Sequence, residues 1–485
     1  MGAYFRFEER AVEKRLRAEA TSGVIKPASE ATLGLPQDGE RVTDRRTLIP
    51  VLGLREYWYP ALAAKQIPQR KPLYWRMLGD EICFFRGENG EIGAISDICP
   101  HRGASLSQGL CVFEGTVSCP YHGATFDATG NCKAFLGEGP DSKMAGKMPV
   151  KAYPTKVLRG WVFIWMGAEK PTAIEEDVPP ELFDAKKTVM FSTYTYWPTN
   201  WILAIENQND SHNAQWAHRN AMMNLTSNRG RSPTPIGPRS KLVNDRALVP
   251  MMANQNYYKD GEGKEIFSLH YPTLGGKWPR NWRKIPWAIL KPLYKYVIYN
   301  KWRMAKENLL TSDTEEWCPS MGGSAWHLPC QVRVNHGIGY FNRFAVPVGA
   351  NLSRVVYLYM RKRPRFWPLE LVQKAWWHGY YKWWMCFNFS GQDARIASPC
   401  RYWTPENLSA TDSHLIMLRK LITERSRDAV IARQRGEERK PAMLKDDQIL
   451  QDLKRQGLGE ASLEEAANVG EAAPVWDFLQ KGFKQ

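Results

Sequence analysis

Cys99-Pro-His101-Arg-Gly-Ala-Ser-Leu106 and, thirteen residues on, Cys119-Pro-Tyr-His122-Gly-Ala124 decide how this chain is read. Each stretch puts a thiolate and an imidazole on one short loop. Two Cys and two His can hold a zinc ion. Structural zinc modules, however, usually place both Cys in one half and both His in the other. Here each half supplies one of each, so one iron can take both sulfurs and a second iron both imidazoles, as in a [2Fe–2S] cluster with mixed ligands. Neutral imidazoles leave such a cluster less negative than four thiolates and raise its potential. The small residues after each half, Gly103-Ala104 and Gly123-Ala124, let backbone N–H groups approach the sulfides.

The surrounding texture is β-type. Leu73-Tyr-Trp-Arg-Met-Leu78, Ile82-Cys-Phe-Phe85 and Ile92-Gly-Ala-Ile95 are short strand runs. Gly79-Asp80 and Glu88-Asn-Gly90 supply turns between them, and Arg159-Gly-Trp-Val-Phe-Ile-Trp165 supplies another strand. Residues 51–170 are therefore expected to form a small antiparallel β domain. Residues 1–50 are charged and read as a helix and a loose arm, and 171–180 as a proline-rich, acidic linker. Residues 181–425 form a second domain, with strands such as Arg354-Val-Val-Tyr-Leu-Tyr359. A charged helical tail covers 426–485; the helix leading into it carries Leu415, Leu418, Leu421 and Ile422 at helical spacing.

The chain has 485 residues, 43% of them hydrophobic, enough for two or three domains. It contains no apolar run long enough to span a membrane and no apolar signal core near Met1. Nine scattered cysteines favour a reducing, cytoplasmic setting over a disulfide framework. The net charge of +16 suits an acidic redox partner or substrate. No nucleic-acid-binding motif accompanies it.

The two cysteine–histidine loops resemble the Rieske domain of ring-hydroxylating oxygenases, the phthalate and carbazole branch above all. Ala124 departs from that pattern, which often has Trp there. Rieske proteins of respiratory complexes carry an extra Cys in each loop; this chain has Gly103-Ala104 and Tyr121 in those loops and so falls outside that group. The resemblance implies an α+β fold, a Rieske β domain plus a catalytic domain with an antiparallel sheet flanked by helices. It also implies [2Fe–2S] ligation by Cys99, His101, Cys119 and His122. Cys111 and Cys132 read as ordinary core cysteines.

About three hundred residues beyond the loops leave room for a second metal. Fe(II) that activates O2 is commonly held by two His and a carboxylate. Glu206-Asn-Gln-Asn-Asp210-Ser-His212-Asn213-Ala-Gln-Trp-Ala-His218 resembles the family's helix motif, and Gln392-Asp393 its late acidic segment. The ligands implied are His212, His218 and Asp393. The family's count places two residues between Asp and the first His, which puts Asn213 on that position. Imidazole is the better iron ligand and a helix bulge absorbs one residue, so His212 is preferred, with Asn213 the alternative. By resemblance, Asp210 bonds a metal-bound His and reaches the cluster of a neighbouring subunit, which implies a homotrimer. Glu406 to Asp412 and Leu418-Arg-Lys-Leu421 resemble the entry to the branch's C-terminal helix, so the resemblance covers about 51–425.

The expected activity is that of a terminal oxygenase. It would take O2, and electrons from a separate NAD(P)H-dependent reductase or ferredoxin, to hydroxylate or oxidatively demethylate a small apolar or aromatic substrate. The chain itself shows no dinucleotide fingerprint. The alternative is a cluster-only redox or sensor protein with a degenerate iron site. Two basic, Trp-rich stretches, from Lys277 to Arg303 and from Trp367 to Trp384, read as packing and pocket walls in preference to a membrane-surface contact.

Overall fold

A computed structural model describes residue 14, residues 45–207, 217–218, 240–243, 246–250, 257–259, 265–267, 324–335, 339–400, 406, 408 and 412–437. Asp210, His212, Asn213 and the Lys277–Arg303 stretch lie outside the described residues, as do most of residues 1–50 and the tail beyond residue 437.

Three three-stranded antiparallel sheets come first. β1 (Trp58–Ala63), β8 (Thr155–Leu158) and β9 (Trp161–Trp165) form one, in the order β1-β9-β8. β2 (Leu73–Met77), β3 (Asp80–Arg86) and β4 (Ile92–Ser96) form the second. β5 (Thr116–Ser118), β6 (Ala124–Asp127) and β7 (Cys132–Phe135) form the third. The run read as one strand from Arg159 divides: Arg159 and Gly160 have φ of 56° and 78° and make a two-residue hairpin turn between Leu158 and Trp161. Two successive positive φ values match the right-handed twist of the flanking strands.

The larger sheet follows. Its strands are β10 (Thr188–Trp197), β11 (Ser240–Val243), β12 (Ala247–Pro250), β15 (Ser324–His327), β16 (Gln331–Asn335), β17 (Gly339–Gly349) and β18 (Leu352–Lys362). They run in the antiparallel order β10-β18-β17-β16-β15-β12-β11. β13 (Tyr257–Lys259) pairs separately with β14 (Glu265–Phe267). A short helix, α1 (Trp201–Glu206), is capped by Asn200, whose side chain accepts from Ile202 N. Beyond the sheet come α2 (Pro368–Trp376), two π-helical turns over Trp377–Tyr381 and Trp383–Phe389, α3 (Ser390–Ala397), α4 (Ser413–Arg425) and α5 (Arg427–Gln434).

Segment 171–180 connects the two parts, but it is packed rather than solvated. Ile174, Asp177 and Val178 are buried. Asp177 accepts from Trp58 N at 2.9 Å and pairs with Arg427 at 2.9 Å. One apolar core runs from Trp58 and Trp165 through Phe191 and Tyr359 to Leu418 and Ile422. The cysteine–histidine loops sit on a smaller core of their own, with Phe85, Val117, Phe126 and Phe135. Apolar spacing alone does not disclose that α4 is also fixed by charge. Arg419 forks onto buried Glu206 at 2.7 and 3.0 Å and reaches Glu406 at 2.7 Å, and Glu406 also pairs with Arg46. That network fixes the end of α1, where the His motif begins.

Candidate metal centres

The two loops are nearly the same object built twice. Cys99 N donates to Ala104 O at 2.8 Å and Gly103 N to Cys99 O at 2.8 Å. In the second loop Cys119 N donates to Ala124 O at 2.8 Å and Gly123 N to Cys119 O at 3.0 Å. Gly103 and Gly123 both adopt the left-handed region, at φ of 76° and 70°. At Gly123 a Cβ would stand 2.7 Å from Leu136 Cβ, so a larger residue is excluded twice over. Ile98 and Ser105 bridge across the first loop, as Ser118 and Thr125 pair across the second.

In each loop the N–H groups two and three residues after the cysteine point at its sulfur, from His101 and Arg102 in one and from Tyr121 and His122 in the other. Such a nest favours an anion. The two sulfurs lie within hydrogen-bonding reach. The Cys99 thiol, donating to Cys119, pulls Cys119 down to about 6, and the contact pushes Cys99 itself up. The imidazoles of His101 and His122 lie with ring centroids 4.7 Å apart, both against Phe135. Nδ1 of His122 is buried without a hydrogen-bond partner. Two sulfurs side by side, two imidazoles side by side, four inward N–H groups and an orphaned ring nitrogen fit a [2Fe–2S] cluster. Cys132 is buried and Cys111 half-buried, both as free thiols.

The second candidate centre lies between α3, which carries Asp393, and the turn at His218. His218 and Asp393 are both buried, and His218 Nε2 stands 3.0 Å from Asp393 Oδ1. Gln392 Oε1 lies 3.2 Å from Nδ1 of His218, and Phe389 stacks on the ring at 3.7 Å. With Nδ1–H donating to Gln392, Nε2 would have its lone pair available for a metal held beside the carboxylate. Two metal bonds of about 2.1 Å at right angles place their donors about 3.0 Å apart, so this pair can share a borderline divalent ion such as Fe(II). Among the described residues no third His, Cys, Asp or Glu joins them. His212 and Asp210, which the sequence nominates, lie outside the described residues.

One residue of this site escaped sequence reading. Arg343, buried on β17, reaches Asp393 Oδ2 at 3.5 Å, donates to Ala204 O at 2.7 Å and lies 4.7 Å over Trp197. Burial pulls its guanidinium below its usual range, and Asp393 opposes that. It holds one carboxylate oxygen and leaves the other facing His218. Its only signal was a cation inside the apolar run Phe341-Asn-Arg-Phe-Ala-Val346. Removing one member of a buried pair costs about 3–5 kcal/mol. Arg343→Met should lower the stability of iron-free protein by about that much. The deficit should shrink on adding Fe(II), which replaces the missing positive charge beside Asp393. Thermal unfolding with and without Fe(II) measures both; an unchanged deficit would assign Arg343 to packing against Ala204 alone.

Residues 57–154 match the Rieske [2Fe-2S] domain family. The terminal oxygenase component of carbazole 1,9a-dioxygenase from Sphingomonas sp. is 31% identical over 38% of this chain and 49% of its own length. The oxygenase subunit of 5,5'-dehydrodivanillate O-demethylase from Sphingobium sp. is 29% identical over 40% of this chain and 44% of its own. The matched region thus spans about half the length of these relatives. The reduced complex between oxygenase and ferredoxin in carbazole 1,9a-dioxygenase contains a chain of the same fold, with TM-score 0.59, 20% identity, and coverage of 85% of this chain and 99% of that one. The protein therefore carries a Rieske [2Fe–2S] domain. Its overall fold is that of the Rieske terminal oxygenases.

Proposed function

We propose that the protein is the terminal oxygenase of a Rieske non-haem iron system, acting by hydroxylation or oxidative demethylation on an apolar or aromatic substrate. The observation that carries this is the buried His218–Asp393 pair on a chain that also holds the cysteine–histidine loops. A cluster-only carrier has no use for a second buried donor pair. Residues 51–170 would accept electrons and 181–425 would do the chemistry. When bound, the cluster supplies one-electron transfer and the mononuclear iron supplies O2 activation.

The chain's own residues do the rest. Cys99 and Cys119 would hold one cluster iron, His101 and His122 the other. His218 and Asp393, with His212 or Asn213, would hold the mononuclear Fe(II). Gln392 orients His218, and Arg343 orients Asp393. Phe389 covers the imidazole and keeps water from that side. Electrons would come from a separate ferredoxin or reductase, as the ferredoxin-bound chain of the same fold suggests, and the scattered cysteines favour a cytoplasmic setting for both. Ile98, Leu110, Val112, Phe113, Tyr121 and Leu136 are exposed at the cluster loops, a rim suited to a neighbouring subunit in a trimer.

Asp210→Asn tests the route between the two metals. It should retain both the cluster absorbance and the mononuclear iron, yet lose substrate-dependent O2 consumption by about 100-fold. Wild-type turnover in that variant would remove Asp210 from the route. The activity itself is tested by a screen of aromatic and apolar compounds with a surrogate ferredoxin and reductase, comparing product formed with O2 consumed. Product coupled to O2 supports the oxygenase; cluster reduction without O2-dependent product across the screen supports the carrier.

A further inference from the structure

The Trp-rich stretch from Trp367 divides into two halves with opposite surroundings. From Trp377 onward it is anchored: Trp377 and Tyr381 are buried, and Trp377 stacks on Phe191 and Tyr359 at 5.3 and 5.7 Å. Before Trp377 no residue of α2 is buried. Phe366, Trp367 and Val372 are 63%, 70% and 61% exposed, and Leu369 and Leu371 are half-exposed.

The orientation of α2 is inverted relative to an ordinary surface helix. At 100° per residue, Pro368, Leu371, Val372 and Ala375 share the face turned away from Trp377 and Tyr381. Glu370 and Gln373 are turned inward, while Lys374 stays exposed at the edge. Glu370 pairs with Arg363 and, at 3.1 Å, with Lys374, and Gln373 donates to Lys362 O at 3.3 Å. An apolar outer face held rigid by a buried aromatic anchor is a surface built to meet something other than water.

The surrounding charge says what. Lys186, Lys187, Lys362, Arg363 and Arg365 lie on or beside the strand ends that lead into α2, and Lys374 lies on α2 itself. The acids among them, Asp184 and Glu370, are already paired with Lys187, Arg363 and Lys374. A second copy meeting this face with its own would set cations against cations; a trimer contact through a different face is the rival occupant, and the oligomeric state of the variant tests it. A negatively charged lipid surface accepts both parts: aliphatic and Trp side chains enter the acyl boundary, and Lys and Arg meet the headgroups.

We propose that α2 with Phe366 and Trp367 is a peripheral docking face for anionic membrane. No helix among the described residues is long and apolar enough to cross one. The helical run that begins at this face continues to Asp393, so docking would seat the catalytic part of the chain at a surface where apolar substrates accumulate.

The test is co-sedimentation of the full chain, cluster loaded, with phosphatidylglycerol/phosphatidylcholine vesicles. Trp367→Ser/Leu371→Ser/Val372→Ser is compared with wild type. Because these side chains are exposed, cluster absorbance and the unfolding temperature should be unchanged. Wild type should bind the mixed vesicles, more weakly as salt is raised, and the triple variant should lose at least about tenfold in affinity. Failure of wild type to bind, equal binding by the variant, or a changed oligomeric state of the variant in free solution would each overturn the proposal.

Discussion

Cys119→Ser, and equally Cys99→Ser, is expected to yield a folded chain without the visible absorbance and low-temperature EPR signal of a Rieske cluster. Each sulfur sits in its own nest of two backbone N–H groups, and neither nest holds a second donor of comparable softness. A serine oxygen keeps its proton near neutral pH, whereas Cys119 is already pulled down to about 6 by its neighbour and its loop. The β5–β7 sheet should survive the change, because Phe85, Val117, Phe126 and Phe135 pack beneath the loops regardless. Far-ultraviolet circular dichroism near that of wild type, together with lost cluster signals, is the expected pair of readings. A normal cluster in either variant would remove that cysteine from the ligand set.

The second large effect is expected at the proposed mononuclear iron site. His218→Ala and Asp393→Ala should each lose the mononuclear iron while keeping the cluster, since the two donors face each other at 3.0 Å in a buried site. The first ligand is decided by a paired experiment. Residues five apart on a regular helix differ by about 140°, and residues six apart by about 120° the other way, so spacing does not discriminate Asn213 from His212. Ligand chemistry does: a neutral imidazole binds Fe(II) better than a carboxamide. His212→Ala should therefore lose that iron and Asn213→Ala should keep it. The reverse result would place Asn213 in the iron site and make His212 a neighbour that bonds a ligand or moves a proton.

The cluster loops were legible because their chemistry is local. A Cys, a His and a left-handed Gly within five residues form a nest whatever lies around them. The same holds for the short hairpins, where turn chemistry marks the strand ends. What the sequence hid depends on contacts distant in the chain. Segment 171–180 reads as a proline-rich, acidic linker, and its packing shows only when Asp177 meets Trp58 and Arg427, 119 and 250 residues away. Glu206 was visible as part of a helix motif, but its partner Arg419 lies 213 residues on. Arg343 reaches Asp393 only because β17 packs beneath α1 and α3. The aromatic stretch from Trp367 was uniform in composition, so only the fold could reveal that its first half faces outward.

The most direct measurement is metal content per chain, iron by plasma emission and sulfide by acid release, on anaerobically reconstituted protein. A Rieske terminal oxygenase should carry about three irons and about two sulfides per chain. Mild chelation should remove about one iron and leave the cluster absorbance intact. About two irons with two sulfides, none of the iron removable without bleaching the cluster, would contradict the oxygenase and leave a cluster-only redox protein.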